Sequence, residues 1–390
     1  MHIRVNLTGL ADNPEYPAMN HNKQTETDQH YMRKCLELAG IGRGQVSPNP
    51  LVGSVLVRNN RVIGKGWHRK YGEPHAEVEA ITNAGQSVEG ATLYCNLEPC
   101  CHEKKQTPPC TPLIIQNKIA RVVVANTDPN PLVSGKGLEQ LRKAGIEVNT
   151  GVLEDEGAEL NRFYFKYITR HQPYVSLKIA QTIDGKIGLD RNSQTWITGE
   201  EAAAFVHEQR SRYDAVLIGA NTVRVDDPQL TVRRVGGRNP IRIILDGQLT
   251  SPPEATLFND DQAPTWIFVS EDVPQERKEL FQNRNVRFLA LDAQENGWLN
   301  PECILYELGK LRISSILVEG GQEVFSQFVS RQLFDQIYIL LHPVLFGRGL
   351  ESMRYSENTV VKLHSVETLG IDLKLDYRNI HEKSQTRRSE

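Results

Sequence analysis

His75-Ala76-Glu77, followed after a short strand-like stretch by Pro99-Cys100 and then by Pro109-Cys110, brings together one imidazole, two sulfurs and a carboxylate. Imidazole nitrogen and thiolate sulfur are ligands that zinc takes in tetrahedral sites, and three of them leave the fourth corner open for water. A carboxylate two residues beyond the imidazole is then free to carry protons between that water and a leaving amine. His-x-Glu by itself arises by chance in many chains, and cysteine is often no more than a small buried apolar residue. The context favours the metal. His75 follows Pro74 and opens an apolar-periodic run (Ala76, Val78, Ala80, Ile81), both candidate cysteines follow prolines, and Cys110 precedes Leu113, Ile114 and Ile115. Ligands so placed sit at helix N-termini, where the positive end of the dipole favours thiolate over thiol.

His-x-Glu with a later Pro-Cys-x-x-Cys marks the deaminases that act on nucleobases. This chain matches the first half, but nine residues, 101 to 109, separate its cysteines where that signature has two. The longer loop argues against the nucleic-acid-editing branch. A net charge of −3 adds no global attraction to nucleic acid or to an anionic membrane, and neither is expected as a partner. With 390 residues, 39% hydrophobic and 24% charged, the chain is long enough for two ordinary domains with separate cores. Six cysteines, three of them at 100, 101 and 110, make no disulfide framework and point to a reducing compartment. No continuous apolar core follows Met1 and no stretch approaches the length of a membrane span, so a cytoplasmic protein is expected.

The elements that must position these residues can be read coarsely. Residues 1–26 are polar and Asn-rich and read as an extension, and 381–390 as a polar tail. Thr27 to Leu38 reads as a helix with Tyr31, Met32, Cys35, Leu36 and Ala39 on one face. Val52 to Val57, an Asn59-Asn60 turn and Val62 to Gly64 suggest a hairpin. Ala91 to Asn96 and Arg121 to Ala125 read as strands, with helices starting near His75, Cys110 and Gly137. That alternation implies a sheet covered on both faces. A boundary is expected near Arg170-His171-Gln172-Pro173, giving domains at 27–170 and 171–380.

Beyond it the alternation continues without a repeat of the motif. Strands are expected at Tyr174–Ala180, Ala215–Ile218, Ile241–Asp246, Trp266–Val269, Val286–Leu291, Ser315–Glu319 and Gln336–Leu341. Helices are expected near Glu200–Arg210, Pro301–Leu311 and Gly321–Ser330. Ile316 to Gly321, followed by Gln322-Glu323-Val324-Phe325, is a strand, a glycine turn and a helix N-terminus, a geometry that presents backbone N–H groups to phosphate. A Gly-Gly at such a turn more often serves tight packing, and the full G-x-G-x-x-G fingerprint is absent.

Five segments of the first half together resemble the deaminase half of the bifunctional diaminohydroxyphosphoribosylaminopyrimidine deaminase / 5-amino-6-(5-phosphoribosylamino)uracil reductase family of riboflavin biosynthesis. They are Ser47-Pro48-Asn49-Pro50-Leu51-Val52-Gly53, Gly72-Glu73-Pro74-His75-Ala76-Glu77, Leu97-Glu98-Pro99-Cys100, Thr107-Pro108-Pro109-Cys110 and the run from Asp128 to Gly137. The resemblance implies zinc on His75, Cys100 and Cys110, Glu77 as proton donor and Asn49 against the base. One departure is the extra residue between the ligand cysteines, with Cys101 where the family commonly has Ser. By spacing alone Cys101 could be the ligand. Cys100 is preferred because Glu98-Pro99-Cys100 keeps the family's register and Glu103-Lys104-Lys105-Gln106 can absorb an insertion.

The second half resembles the reductase half of the same family, through Leu177-Lys178 with Thr182-Ile183-Asp184-Gly185, Trp196-Ile197-Thr198, Thr222 to Arg233, Ile243-Ile244-Leu245-Asp246 and Val318-Glu319-Gly320-Gly321. What the resemblance implies is an α/β architecture, an N-terminal cytidine-deaminase-like αβα domain followed by a C-terminal dihydrofolate-reductase-like α/β domain. It also implies NADPH on Ala180, Trp196, Thr222, Asp226 and the turn from Gly321, and substrate on Arg210, Leu230, Arg233 and Glu319. Two arginines suit a ribose phosphate, whose oxygens match a guanidinium fork. Where the family often has a Ser facing substrate two residues before Trp196, this chain has Gln194, with Ser193 one place earlier.

The expected reaction is hydrolytic deamination of 2,5-diamino-6-ribosylamino-4(3H)-pyrimidinone 5′-phosphate, followed by NADPH-dependent reduction of its ribosyl group to a ribityl chain. A homo-oligomer, dimer or tetramer, is expected. The rivals are a nucleoside, free-base or tRNA deaminase with an unrelated appended domain, and a zinc-binding structural or regulatory module. The spacing itself generates a test: Cys100→Ser should strip or greatly weaken zinc, while Cys101→Ser should leave it bound, and metal analysis of the two variants reads the answer. The reverse pattern would move the ligand to Cys101.

Overall fold

The computed structural model of the chain describes residues 19–102, 107–281, 285–294, 297–354 and 358–380. The 381–390 tail and the first eighteen residues of the 1–26 extension lie outside the described residues. From Met19 onward the expected extension is helical, because α1 runs Met19–Ile41 instead of starting at Thr27. No proline or glycine interrupts residues 19–39, and Gln24 Nε2 donates to Asp28 Oδ1 one turn on at 3.1 Å.

Among the described residues the first sheet has five strands in the order β2-β1-β3-β4-β5. These are β1 (Gly53–Arg58), β2 (Arg61–Trp67), β3 (Thr92–Leu97), β4 (Arg121–Asn126) and β5 (Glu147–Thr150). The β1–β2 hairpin is antiparallel, as is β1 with β3, whereas β3, β4 and β5 run parallel. Its connections hold α2 (Ala76–Thr82), α3 (Cys110–Gln116) and α4 (Lys136–Lys143), and α5 (Glu154–Leu160) follows β5. Period-two alternation sorts the strand residues between two cores. Leu56, Leu93, Val122 and Val124 pack on Ala80, Ile114 and Leu141 of α2, α3 and α4, while Val55, Tyr94 and Val123 face Tyr31, Met32 and Cys35 of α1. The expected two-sided cover is therefore present. Arg121 enters the α1 side as a charge, donating to both Asp28 oxygens at 2.8 and 2.7 Å, with Tyr94 OH on Asp28 at 2.8 Å.

Helix α6 (Arg162–Arg170) ends just before β6 (Tyr174–Thr182), the first strand of the second sheet. After the short β7 (Lys186–Gly188) come α7 (Glu200–Arg212), β8 (Ala215–Gly219), α8 (Ala220–Asp226), β9 (Ile241–Leu245) and α9 (Thr256–Asn259). Then follow β10 (Thr265–Ser270), α10 (Gln275–Lys278), β11 (Val286–Leu291), α11 (Pro301–Lys310), β12 (Ser315–Gly320) and α12 (Gln322–Ser330). The chain closes with β13 (Gln336–His342), β14 (Leu350–Glu351), β15 (Val361–Leu369) and β16 (Asp372–Asn379). The nine strands found in the described residues are ordered β11-β10-β9-β8-β12-β6-β13-β16-β15, parallel as far as β13 and antiparallel beyond it. Strands buried on both faces read as continuous apolar runs, as Ser315-Ile316-Leu317-Val318 does. Helix α11 starts where Asn300 Oδ1 accepts from Glu302 N at 3.0 Å and Pro301 needs no N–H partner. Phe163 of α6 packs with Tyr213, Leu317 and Tyr338 of the second unit.

Helix α2 carries the His-Ala-Glu motif and lies close against β2. A Cβ at Gly66 would stand 2.3 Å from Glu79 Cβ and 2.5 Å from Ala76 O, so only glycine lets the helix approach this far. Gly66→Ala should therefore force α2 outward at a cost of about 1–3 kcal/mol, lowering the melting temperature of the unit by roughly 2–12 °C in a thermal scan. An unchanged melting temperature would mean that α2 lifts freely and that this contact does not set its position.

Candidate active sites

The first site forms where three chain segments meet beyond the ends of β2 and β3. His75 is the N-cap of α2, Cys100 lies three residues past β3, and Cys110 is the first residue of α3. Cys100 therefore sits in a loop and not at a helix N-terminus, which corrects the expectation for one ligand in three. Its sulfur instead accepts the Cys110 backbone N–H at 3.4 Å, a donor that serves thiolate as a helix end would. His75 Nδ1 stands 3.4 Å from Cys100 Sγ and 3.4 Å from Cys110 Sγ, and the three ligand atoms all lie within 4.8 Å of one another. Tetrahedral zinc with ordinary Zn–S and Zn–N bonds holds sulfur and nitrogen about 3.5 Å apart, so this donor set fits the ion. Cys101 is half-buried and is not among the converging side chains.

Surrounding groups fix these side chains. His75 Nε2 faces Thr107 Oγ1 at 3.1 Å, which directs Nδ1 toward the sulfurs. Glu77 is 2% exposed, on the first turn of α2. Asn49 Nδ2 faces His68 Nε2 at 3.1 Å, and the His68 ring stands edge-on to His75 with centroids 5.4 Å apart. Below Cys100, the Glu98 carboxylate accepts backbone N–H bonds from Asp128 (3.1 Å), Gly135 (2.9 Å), Gly137 (3.0 Å) and Leu138 (3.3 Å). Thr107, His68 and Glu98 were given no role at the sequence level. Thr107 and Glu98 lie inside the quoted motifs, whereas His68 lies outside them.

The second site is a cavity of about 650 Å³ at the C-terminal ends of β6, β8 and β12. Parallel strands commonly bind ligands at this edge. Of the residues expected there, Ala180, Trp196, Thr222, Asp226, Gly321, Arg210, Leu230 and Glu319 all line the cavity, as do Lys178, Ser193 and Gln194. Arg233 does not. Its backbone N–H donates to His207 Nδ1 at 2.9 Å, and its Nη1 to Gln229 Oε1 at 2.6 Å and Thr231 Oγ1 at 2.7 Å. Ser193 Oγ is held by Asp190 Oδ2 at 2.9 Å.

Glu319 organises the charges of this cavity. Burial pushes its carboxyl up, but the charges of Arg210 and Lys178 and their hydrogen bonds outweigh that and hold it at about 2. Arg210 donates Nε and Nη2 to the two carboxylate oxygens at 2.5 and 2.8 Å, and Lys178 Nζ lies 3.4 Å away. Arg210 is thus committed to Glu319, with Nη1 on Thr231 O at 3.2 Å. Burial raises the Asp226 carboxyl, with Lys178 opposing. His207 is pushed down to about 4 by burial and by Arg210 and Arg233, so its Nδ1 stays an acceptor at neutral pH. Trp196 is 81% exposed at the cavity wall, a large flat face for a ring to stack on. At the glycine turn, a Cβ on Gly320 or Gly321 would meet Thr222 Oγ1 at 3.2 or 3.3 Å, so bare backbone faces the cavity beside Thr222. These features fit a dinucleotide.

Two family models match. Residues 25–126 match the cytidine and deoxycytidylate deaminase zinc-binding region, and residues 173–375 match the RibD C-terminal domain. The riboflavin biosynthesis protein RibD of Aquifex aeolicus is 44% identical over 90% of this chain and 99% of its own. That of Escherichia coli is 36% identical over 83% and 90%. The crystal structure of the diaminohydroxyphosphoribosylaminopyrimidine deaminase/5-amino-6-(5-phosphoribosylamino)uracil reductase from Thermotoga maritima superposes with a TM-score of 0.82 at 38% identity, covering 91% of this chain and 99% of that one. Acinetobacter baumannii RibD superposes with a TM-score of 0.80 at 34% identity over 91% and 99%. With the zinc-fitting triad in one unit and the dinucleotide-fitting cavity in the other, the chain belongs to the RibD family of riboflavin biosynthesis, which joins a zinc-dependent deaminase to an NADPH-using reductase.

Proposed function

We propose that His75, Cys100 and Cys110 hold the zinc, that Glu77 moves the protons of deamination, and that the cavity around Glu319 binds NADPH and the sugar of the deaminated substrate. The convergence of three ligand atoms within 4.8 Å, with a buried carboxylate two residues on, carries the first half of this reading. Zinc held there supplies a water acidic enough to act as nucleophile near neutral pH. Glu77 takes a proton from that water and returns it to the departing amine, and Asn49 hydrogen-bonds the base. The substrate is 2,5-diamino-6-ribosylamino-4(3H)-pyrimidinone 5′-phosphate, and the leaving group is ammonia from its 2-amino position.

NADPH held in the second site would supply the hydride that reduces C1′ of the opened ribose. The protein orients the two partners. Trp196, Thr222, Ala180 and the turn from Gly321 seat the cofactor, while Leu230 and Glu319 bound the sugar. Asp226 assists proton transfer. Arg210 acts by holding the Glu319 carboxylate in place, and Arg233, exposed nearby, takes the ribose phosphate. Gln194 is the substrate-facing side chain of its loop. We read the domains as 27–170 and 171–380. The protein is proposed to be a cytoplasmic homo-oligomer. Support comes from six cysteines without a disulfide and from the edge strand β15, whose Leu363 and Val366 are 48% and 52% exposed. No described helix is long and apolar enough to cross a membrane.

Glu77→Gln should keep one zinc per chain by metal analysis, lose ammonia release, and still oxidise NADPH when given already deaminated substrate. Zinc lost together with activity would make Glu77 a ligand instead. Arg233→Ala, which removes one charge-assisted hydrogen bond, should lower reductase efficiency roughly ten- to a hundredfold, and Arg210→Ala, which strips Glu319 of its two-point partner, by at least as much, while ammonia release continues. If the double variant, folded and zinc-loaded, released no ammonia, the division of contacts between the two sites would be wrong.

A further inference from the structure

Asp214 stands just before β8, in the second unit, and is 6% exposed. Its Oδ2 accepts Ser314 N at 2.8 Å and Ser314 Oγ at 2.7 Å, both from its own unit. The third donor to the same oxygen is Ser47 Oγ at 2.6 Å, from the loop of the first unit that carries Asn49. Arg238 reinforces the junction: Nη2 donates to Asp214 Oδ1 at 3.0 Å, and Nε donates to the Gly44 carbonyl. A buried carboxylate and its arginine thus grip the segment from Gly44 to Ser47 at both ends.

The same segment reaches the first site. With only Pro48 between, Ser47 is followed by Asn49, whose side chain faces His68 Nε2 at 3.1 Å. His68 Nδ1 in turn faces the carbonyl of Pro74, the residue before His75, at 3.1 Å. Just downstream, Asn161 Oδ1 accepts Leu51 N at 2.8 Å, and Asn161 Nδ2 donates to Leu51 O at 2.9 Å. The Asn49 loop is therefore fixed on both flanks, by Asn161 on one side and by the Asp214 carboxylate on the other. Interfaces between units often use hydrogen bonds merely as adhesive. Here the donor lies two residues from the base-contacting side chain, and the acceptor is a charged group in a buried position, where a bond is strong and its loss is felt.

We propose that Asp214, acting through Ser47, positions Asn49, so that a residue of the reductase unit sets the affinity of the deaminase site for its pyrimidine. This rests on the reading of Asn49 as the base contact. Asp214 and Ser47 are positioning residues: neither needs to touch substrate, and their effect should fall on KM more than on kcat. The domains would then not be independent modules, and a reductase unit that docks poorly would weaken deamination without touching its metal.

The test uses the full chain and steady-state ammonia release, with zinc content and NADPH oxidation on deaminated substrate as controls. Ser47→Ala should raise the deaminase KM roughly three- to thirtyfold with little change in kcat, zinc stoichiometry or reduction, and Ser47→Thr should restore most of the loss. Asp214→Asn should shift KM in the same direction. Asn49→Ala separates the two claims. If it raises KM while Ser47→Ala stays within twofold of the unaltered protein, the tether is refuted and the base contact stands. If Asn49→Ala itself leaves KM unchanged, the base contact fails and the tether's role with it. A parallel fall of zinc, reduction and ammonia release in Ser47→Ala would indicate general destabilisation and would also overturn the proposal.

Discussion

Two sulfurs and one imidazole nitrogen, each from a different chain segment, converge within 4.8 Å of one another, and much of the first unit follows from that convergence. His75 is brought in by α2, which can come close enough to β2 only because Gly66 has no side chain. Cys100 and Cys110 are knit to each other through the backbone, Cys110 N donating to Cys100 O at 3.0 Å as well as to its sulfur. Thr107 turns the imidazole so that Nδ1 points at the sulfurs. These surrounding bonds hold the arrangement ready.

Both sites lean on a buried carboxylate with a full set of donors. Glu98 collects four backbone N–H groups from the Asp128–Leu138 segment and so ties it under the zinc-ligand loop. Glu319 is neutralised instead by Arg210 and Lys178, which keeps it charged in a place where burial alone would protonate it. The difference suits the tasks. A neutral backbone cradle holds geometry without adding a cation beside the cysteines, whereas a charged triad leaves a polar, ordered cavity wall. Asp214 is a third such group, and it joins the two units.

Much of this was legible in the sequence because the chemistry-bearing residues lie in short local motifs. His75, Glu77 and Cys110 stand out by spacing, Cys100 over Cys101 only by the register of Glu98-Pro99-Cys100, and the inner strands of the second sheet by unbroken apolar runs such as Ile316-Leu317-Val318. Other elements gave weaker signals. Strand β15 is exposed along most of its length, with only every fourth residue partly buried, and carries His364 and Glu367, so its pattern looks like loop. Helix α8 lies inside the Thr222–Arg233 stretch, whose resemblance names contacts and not a helix, and α6 contacts both units, Tyr164 reaching Asp128 of the first and Phe163 packing with Tyr213 and Tyr338 of the second. Arg210 and Arg233 look equivalent in sequence, yet one is spent on Glu319 and the other is exposed. Side-chain pairings between distant segments, including Ser47 with Asp214, have no local trace at all.

The central claim is the identity of the three ligands, and X-ray absorption at the zinc edge of the purified protein reads it directly. The account requires two sulfur ligands at about 2.3 Å and nitrogen or oxygen ligands at about 2.0–2.1 Å filling the remaining positions. The same signature is expected unchanged in Cys101→Ser, while Cys100→Ser loses most of its zinc and any zinc it retains shows one sulfur fewer. Three sulfurs in the unaltered protein, or a loss of sulfur that follows Cys101 instead, would contradict the site described here.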